Sequence, residues 1–504
     1  MSTSDLPPIS PTPSIGQPLQ QATSFSFLSF SEKLGMLGSQ LFETAKEKTI
    51  SHPYVILGTI GAITAGCLLF KCFSTETSLS LNTLAAECKE LCKRNNDAEA
   101  KNKISQYVTQ FIKRQNDPTL FNEKNIEYFT NKLSKIIIDS EIPLESKLLI
   151  LPNVQNDFIR LLAQTKKRTE QDIKSNLLKD LKISPHNSLT SIEALGNETH
   201  NQGNIPLLLT FSNGEKIVYK PRSMVPEQEI CGKNDSVFKI AGLGTYTVVC
   251  RDDDNGSYGY CPCLYNRQNE NTMTSIKEVE NYLKQLLLME KVCSQLGVSD
   301  VHFDNIITEN KIAFFIDSES FLNPQEVPPG IFKQYGAGNT FNPTGLKETE
   351  GKNKIWLSPE LTEKKKVDFK YEMTKKDLKT IGVDLDQIAV PDLDDLTYSR
   401  IEKARYRLQS LNGRFVLIDT QSLKSMLTRI DPNNPSHLSI FSETIQERLN
   451  QLQFDFVATS EEQIKEAFKN NVLHNDVPIF YYDSNKGTIL YEDIVIGIKR
   501  PSNE

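Results

Sequence analysis

The sequence predicts an α+β protein of two lobes, a β-rich lobe followed by a helical one, behind an N-terminal helical extension. Three observations carry this. Residues 81–180 place apolar side chains at helical spacing, as in Leu84, Cys88, Leu91 and Cys92. The run Leu207–Phe211, then Asn213-Gly214, then EKIVYK reads as a β-hairpin closing at Lys220, because Asn-Gly tolerates the backbone of a tight hairpin turn. Finally, Val279, Leu283, Leu286, Leu287 and Val292 trace one face of a helix stopped at Gly297, and a short apolar strand, KIAFFID, comes after it.

Taken in order, residues 1–48 form a leader rich in Ser, Pro, Thr and Gln, expected to be disordered because it has little apolar surface to bury. Residues 49–72 come next as an expected transmembrane helix. The core Tyr54–Phe70 carries no charged residue and is long enough to cross a bilayer, with Lys46, Lys48 and Lys71 flanking it. The remaining boundaries are a helical extension over 80–184, a β-rich lobe over 185–298 and a helical lobe over 299–500, whose end carries Leu449, Leu452, Phe454 and Phe456. The formal net charge of −7 excludes a general nucleic-acid binder, which needs a basic surface to displace counterions. The nine cysteines read as scattered reduced thiols, and none follows Cys293, so the C-terminal part holds no Cys-ligated zinc.

The chemistry concentrates in two stretches, DVHFDN (300–305) and KIAFFID (311–317). Asp300 and Asn305 are five apart and Asp317 lies twelve later. That spacing is close to a protein-kinase catalytic loop and its metal-binding Asp, which predicts a protein-kinase-like arrangement using ATP and Mg²⁺. In that reading Lys220, at a strand end, pairs with nucleotide phosphates. Asp300 orients or accepts the proton of an attacking hydroxyl, and Asn305 and Asp317 ligate Mg²⁺. Glu319, two residues past Asp317, joins the metal site if the strand continues. The loop Gly196–Gly203 (GNETHNQG) lies where a phosphate-covering turn belongs, which assigns His200 and Asn201 to the nucleotide together with Lys220 and Arg222.

A family resemblance is specific at this point. KPRS (220–223), THNQG (199–203) and DVHFDNIITENKIAFFIDSES (300–320) resemble the dehydratase domain of class II lanthipeptide synthetases, as do YGYCPCL (258–264) and NDVPIFYYDS (475–484). The resemblance implies a kinase-like fold that phosphorylates a Ser or Thr hydroxyl of a peptide or protein and then eliminates the phosphate. The products are dehydroalanine or dehydrobutyrine. It places Lys220, Asp300, His302, Asn305 and Asp317 in the phosphorylation set. Through RFVLIDT (414–420) it places Arg414 and Thr420 in the elimination set, where an Arg suits a departing phosphate.

Two departures bear on that expectation. Ile418-Asp419 stands where the family has Arg-Pro, which puts a carboxylate near a leaving phosphate. No late cysteines are present for the zinc of a cyclase domain, so ring formation is not expected. The alternatives are a Ser/Thr protein kinase or other nucleotide-dependent transferase that stops before elimination, and a membrane-tethered scaffold without catalysis. The leader and the apolar helix together suggest a membrane-associated, single-pass protein, of the kind a bacterium secretes into a host cell. Any activating partner has no signature in the chain.

Overall fold

The computed structural model describes residues 81–500, less 121, 197, 266, 267, 299, 300, 302–304, 325–333, 336–339, 342–355, 359, 360 and 362–374. The chain divides into two compact units, Met1–Thr77 and Ser78–Glu504, and the described residues all lie in the second. The expected leader (1–48) and apolar helix (49–72) therefore lie outside the described residues. Among the described residues no helix is long and apolar enough to cross a membrane. The single-pass, membrane-associated placement is corrected on that finding.

The architecture is α+β, with antiparallel sheets and helices in separate layers. The first layer is helical: α1 over 81–93, α2 (Asp97–Arg114), α3 (Glu123–Ser134) and α4 (Leu144–Lys174). Asn side chains start two of these helices. Asn96 accepts from Glu99 N and Asn122 from Asn125 N, so each satisfies a backbone donor that a helix start leaves free.

Five strands come next in one antiparallel sheet: β1 (Leu189–Ala194), β2 (Leu207–Phe211), β3 (Lys216–Lys220), β4 (Val249–Asp253) and β5 (Gly256–Pro262), ordered β1-β2-β3-β5-β4. Between β3 and β4 lie α5 (Val225–Cys231) and α6 (Val237–Ile240). One face of the sheet packs on α4 through a polar seam. Arg168 Nη1 donates to the Tyr219 hydroxyl at 2.8 Å, and the Tyr258 and Tyr260 hydroxyls donate to Asp172 at 3.0 and 2.9 Å. The two-residue period of β3 sets which side each of its residues faces. Ile217 and Tyr219 face that seam and its core, so Val218 and Lys220 face the opposite side.

That opposite side is built on α7 (Ile276–Gln295), with Ser275 accepting from Glu278 N at its start. Gly297 ends it in the left-handed region (φ 60), and a Cβ there would come within 3.0 Å of Asn323 N. The hairpin of β6 (Ile306–Glu309) and β7 (Ile312–Phe315) comes after it. Helix α8 (Asp395–Leu408) packs on α5 and α6 and shares their core.

The C-terminal part departs from the helical expectation. It holds a second five-stranded antiparallel sheet: β8 (Gly413–Phe415), β9 (Phe454–Phe456), β10 (Phe480–Asp483), β11 (Thr488–Tyr491) and β12 (Ile494–Lys499), ordered β8-β10-β11-β12-β9. Helices α9 (Thr420–Leu427), α10 (Pro435–Gln451) and α11 (Glu461–His474) lie between its strands in sequence. Phe454 and Phe456, expected in a helix, lie in β9. Phe454 packs edge-on against Tyr482 across the sheet.

Candidate functional site

Lys220 ends β3 with its ammonium buried, and three acceptors surround it. Glu227 Oε1 is at 3.2 Å, Ile316 O at 2.6 Å and Asp317 Oδ1 at 3.3 Å. Glu227 comes from the face of α5 turned toward β3 and is fully buried. Arg222, two residues past the strand, spans the same carboxylates. It meets Glu227 Oε1 at 2.5 Å and Oε2 at 3.2 Å, bonds Asp317 Oδ1, and reaches Glu319 Oε2 at 3.1 Å. Arg414 Nη1 then bonds Glu319 Oε1.

The segment after β7 is seated by backbone bonds. Ile316 N donates to Asn305 O at 2.9 Å, and Arg414 N donates to Glu319 O at 2.8 Å. Ser320 Oγ donates to Arg414 O at 2.9 Å. Asp317 and Glu319 both reach Arg222, although β7 ends at Phe315 and the strand expected to carry both does not continue. Lys220, Arg222, Asp317, Glu319 and Arg414 therefore form one network with Glu227. Asn305 sits beside it at the backbone. Asp300 and His302 lie outside the described residues.

Three cations (Lys220, Arg222, Arg414) face three carboxylates (Glu227, Asp317, Glu319) in this network. Burial disfavours the Lys220 ammonium, yet Asp317 and Glu227 hold its pKa above the ordinary value. Burial also works against the carboxylates. Lys220, Arg222 and Arg414 nevertheless hold the Asp317 carboxyl well below the usual range, and Arg222 and Lys220 lower that of Glu227.

The loop carrying His200 and Asn201 is held from below by the C-terminal segment 475–477. His200 Nδ1 donates to Val477 O at 2.7 Å, and Val477 N donates to Thr199 O at 2.9 Å. Gly203 N donates to both oxygens of the buried Asp476, at 3.1 and 2.9 Å. The THNQG and NDVP motifs thus dock on each other. Beside them His474 Nδ1 meets Asp157 Oδ2 at 2.5 Å. His200 is held neutral more strongly than usual by burial and by the nearby Arg414 charge. Asn201 lies near the hydroxyl of Tyr481, which sits opposite Arg414 in the β8–β10 register and so shares its face of the sheet.

Thr420 is the first residue of α9, half-buried. Asp419, the carboxylate that departs from the family pattern, caps that helix: it accepts from Ser422 N at 2.9 Å and Ser422 Oγ at 2.6 Å. Its charge is thereby committed to the helix start. Lys424, one turn on, pairs with Glu198 at 2.6 Å and ties α9 to the His200 loop.

Sequence reasoning missed Glu227 and Tyr481. Glu227 carried one signal, its place on a short helix directly after KPRS. Tyr481 lay inside the NDVPIFYYDS motif, but its partner Arg414 is brought to it only by strand pairing.

The donor set suits a hard cation. Asp317 and Glu319 offer carboxylate oxygens and Asn305 an amide oxygen, and Mg²⁺ takes one or two carboxylates together with phosphate oxygens. Among the described residues no group of three or more His, Cys, Asp or Glu side chains could hold an ion unaided.

Comparison with known proteins gives two matches. Residues 150–350 match a family described as a domain of unknown function (DUF4135). The span includes Lys220, Asp300, Asn305, Asp317 and Glu319, and ends before Arg414 and Thr420. Over 213 residues the chain is 26% identical to the lacticin 481/lactococcin biosynthesis protein LcnDR2 of Lactococcus lactis subsp. lactis, covering 40% of this chain and 22% of that protein. The chain thus spans less than a quarter of the curated relative it matches. Both matches support a lanthipeptide synthetase-like family.

Proposed function

We propose that the protein is a lanthipeptide-dehydratase-like enzyme with a kinase-like, two-lobed arrangement. It transfers a phosphoryl group from ATP to Ser or Thr of a peptide or protein and then eliminates it. The observation that supports this most is the buried contact of Lys220 with Glu227 and Asp317. A lysine held between a helix carboxylate and a metal-binding carboxylate is what a phosphotransferase uses to seat nucleotide phosphates.

When bound, Mg·ATP supplies the phosphoryl group and offsets the charge of Asp317 and Glu319. The chain's residues do the rest. Lys220 and Arg222 hold phosphate oxygens, and Asp317, with Asn305 and Glu319, holds the ion. Asp300 orients the attacking hydroxyl and His302 assists the transfer. In elimination, the substrate Cα proton leaves to a base, the Cα–Cβ double bond forms, and the Cβ–O bond breaks to release phosphate. Arg414 pairs with that phosphate and Thr420 acts with it, while His200 and Asn201 serve the nucleotide. The net change in substrate is loss of one water.

A second reading is a kinase that stops at phosphorylation, and the Ile418-Asp419 departure favours it. Asp419 is exposed and caps α9 in the structure. Mass spectrometry of Ser/Thr-containing peptides incubated with the full chain and Mg·ATP tests the choice. Loss of water supports dehydration and a retained phosphate supports the kinase. No change in any peptide, with ATP unconsumed, refutes both.

A further inference from the structure

Helix α5 has seven residues and no side-chain cap at its start. A helix this short has no stability of its own, so contacts must set its position. Glu227 and Glu229 are two residues apart on it, which places them on opposite faces. Glu227 is drawn toward Lys220 and Arg222. Glu229, equally buried, is drawn the other way by two arginines of α8: Arg400 Nη2 and Arg407 Nη1 each donate to it at 2.7 Å. Arg400 Nε also donates to Asp235 O at 2.6 Å, in the turn between α5 and α6. Helix α8 therefore grips both the helix and its exit, across more than 160 residues of sequence.

We propose that Arg400 and Arg407 are positioning residues, which hold α5 through Glu229 at the height where Glu227 meets Lys220. The functional consequence rests on the reading of Lys220 as the nucleotide lysine. The arrangement is a poor device for stability alone. Arg400 is 5% exposed, and its Nη1 has no hydrogen-bond partner among the described residues. An apolar pair of similar volume would hold the helices together as well or better. What the charged clamp adds is direction: a fixed rotation of α5, with one carboxylate committed on each side.

The test is the reactivity of the Lys220 amine toward acetic anhydride in the folded full chain, read by mass spectrometry. Lys182, whose side chain is 78% exposed, serves as the internal reference. In the unaltered protein Lys220 should label slowly. Glu229→Gln should raise its labelling relative to Lys182 about tenfold, and Arg407→Ala about threefold, while Arg407→Lys restores protection. Arg407 is largely exposed, so that variant keeps the fold if Glu229→Gln does not. Wild-type protection of Lys220 in folded Arg407→Ala and Glu229→Gln would overturn the proposal. Labelling needs no nucleotide, so a failure of Mg·ATP to bind the unaltered protein would count against the proposed function and leave the labelling result to decide the clamp.

Discussion

Replacing Glu227 by Gln removes one charge from the centre of the network while keeping its shape. In the structure that carboxylate serves Lys220 at 3.2 Å and Arg222 at 2.5 and 3.2 Å, with no exposure to solvent. After the change, three cations share Asp317 and Glu319, and Lys220 is left in a buried place with less counter-charge. Breaking a buried ion pair from one side costs about 3–5 kcal/mol. The amide oxygen still accepts one hydrogen bond, so the expected loss lies near the lower end, about 3 kcal/mol. Urea unfolding at pH 7 measures it. The pH dependence gives a second signature. The Glu227 carboxyl is depressed below its ordinary value of 4.5. Its contribution is therefore present in full above that pH and is lost as pH falls through the folded-state value. Glu227→Gln should flatten this acid limb. A variant within about 0.5 kcal/mol of the unaltered protein at pH 7, with the acid limb intact, would refute the network's energetics.

Three further outcomes are expected. His474 is raised above its ordinary pKa of 6.5, first by its hydrogen bond to Asp157. Its stabilisation is complete below pH 6.5 and lost as pH rises through the folded-state value, so His474→Asn should flatten unfolding midpoints over that range; parallel curves would count against the pair. Gly203→Ala meets both a left-handed backbone (φ 81) and Asp157 Cβ at 2.6 Å, and should cost about 2–4 kcal/mol in urea unfolding. Arg414→Ala should let phosphorylated peptide accumulate in the mass-spectrometric assay; equal loss of both products would reject its link to the departing phosphate.

The legible parts of this chain were the local ones. The β2–β3 hairpin, α7 and the β7 strand each announce themselves within a window of a few residues, through Asn-Gly, a helical stripe and an apolar run. Lys220 could be singled out because it closes such an element, and Asp317 because it comes two residues after one. The contacts that bring them together are spread along the chain. Glu227 matters because α5 folds back on β3, and α5 is too short to show a period. The docking of THNQG on NDVP joins residues 273 or more apart, and no local pattern encodes it. The C-terminal sheet was misread for a similar reason. Phe454–Phe456 is three residues long and comes directly after a helix, so its alternation is hidden in the helical stripe before it. The departure at Asp419 looked like a liability in one dimension and became a helix cap in three.

The most direct measurement is calorimetric titration of the full chain with Mg·ATP, set against Lys220→Ala shown to be folded. The account predicts saturable binding at one site, weakened at least about tenfold when the amine is removed. No binding, or equal affinity in the two proteins, would contradict it.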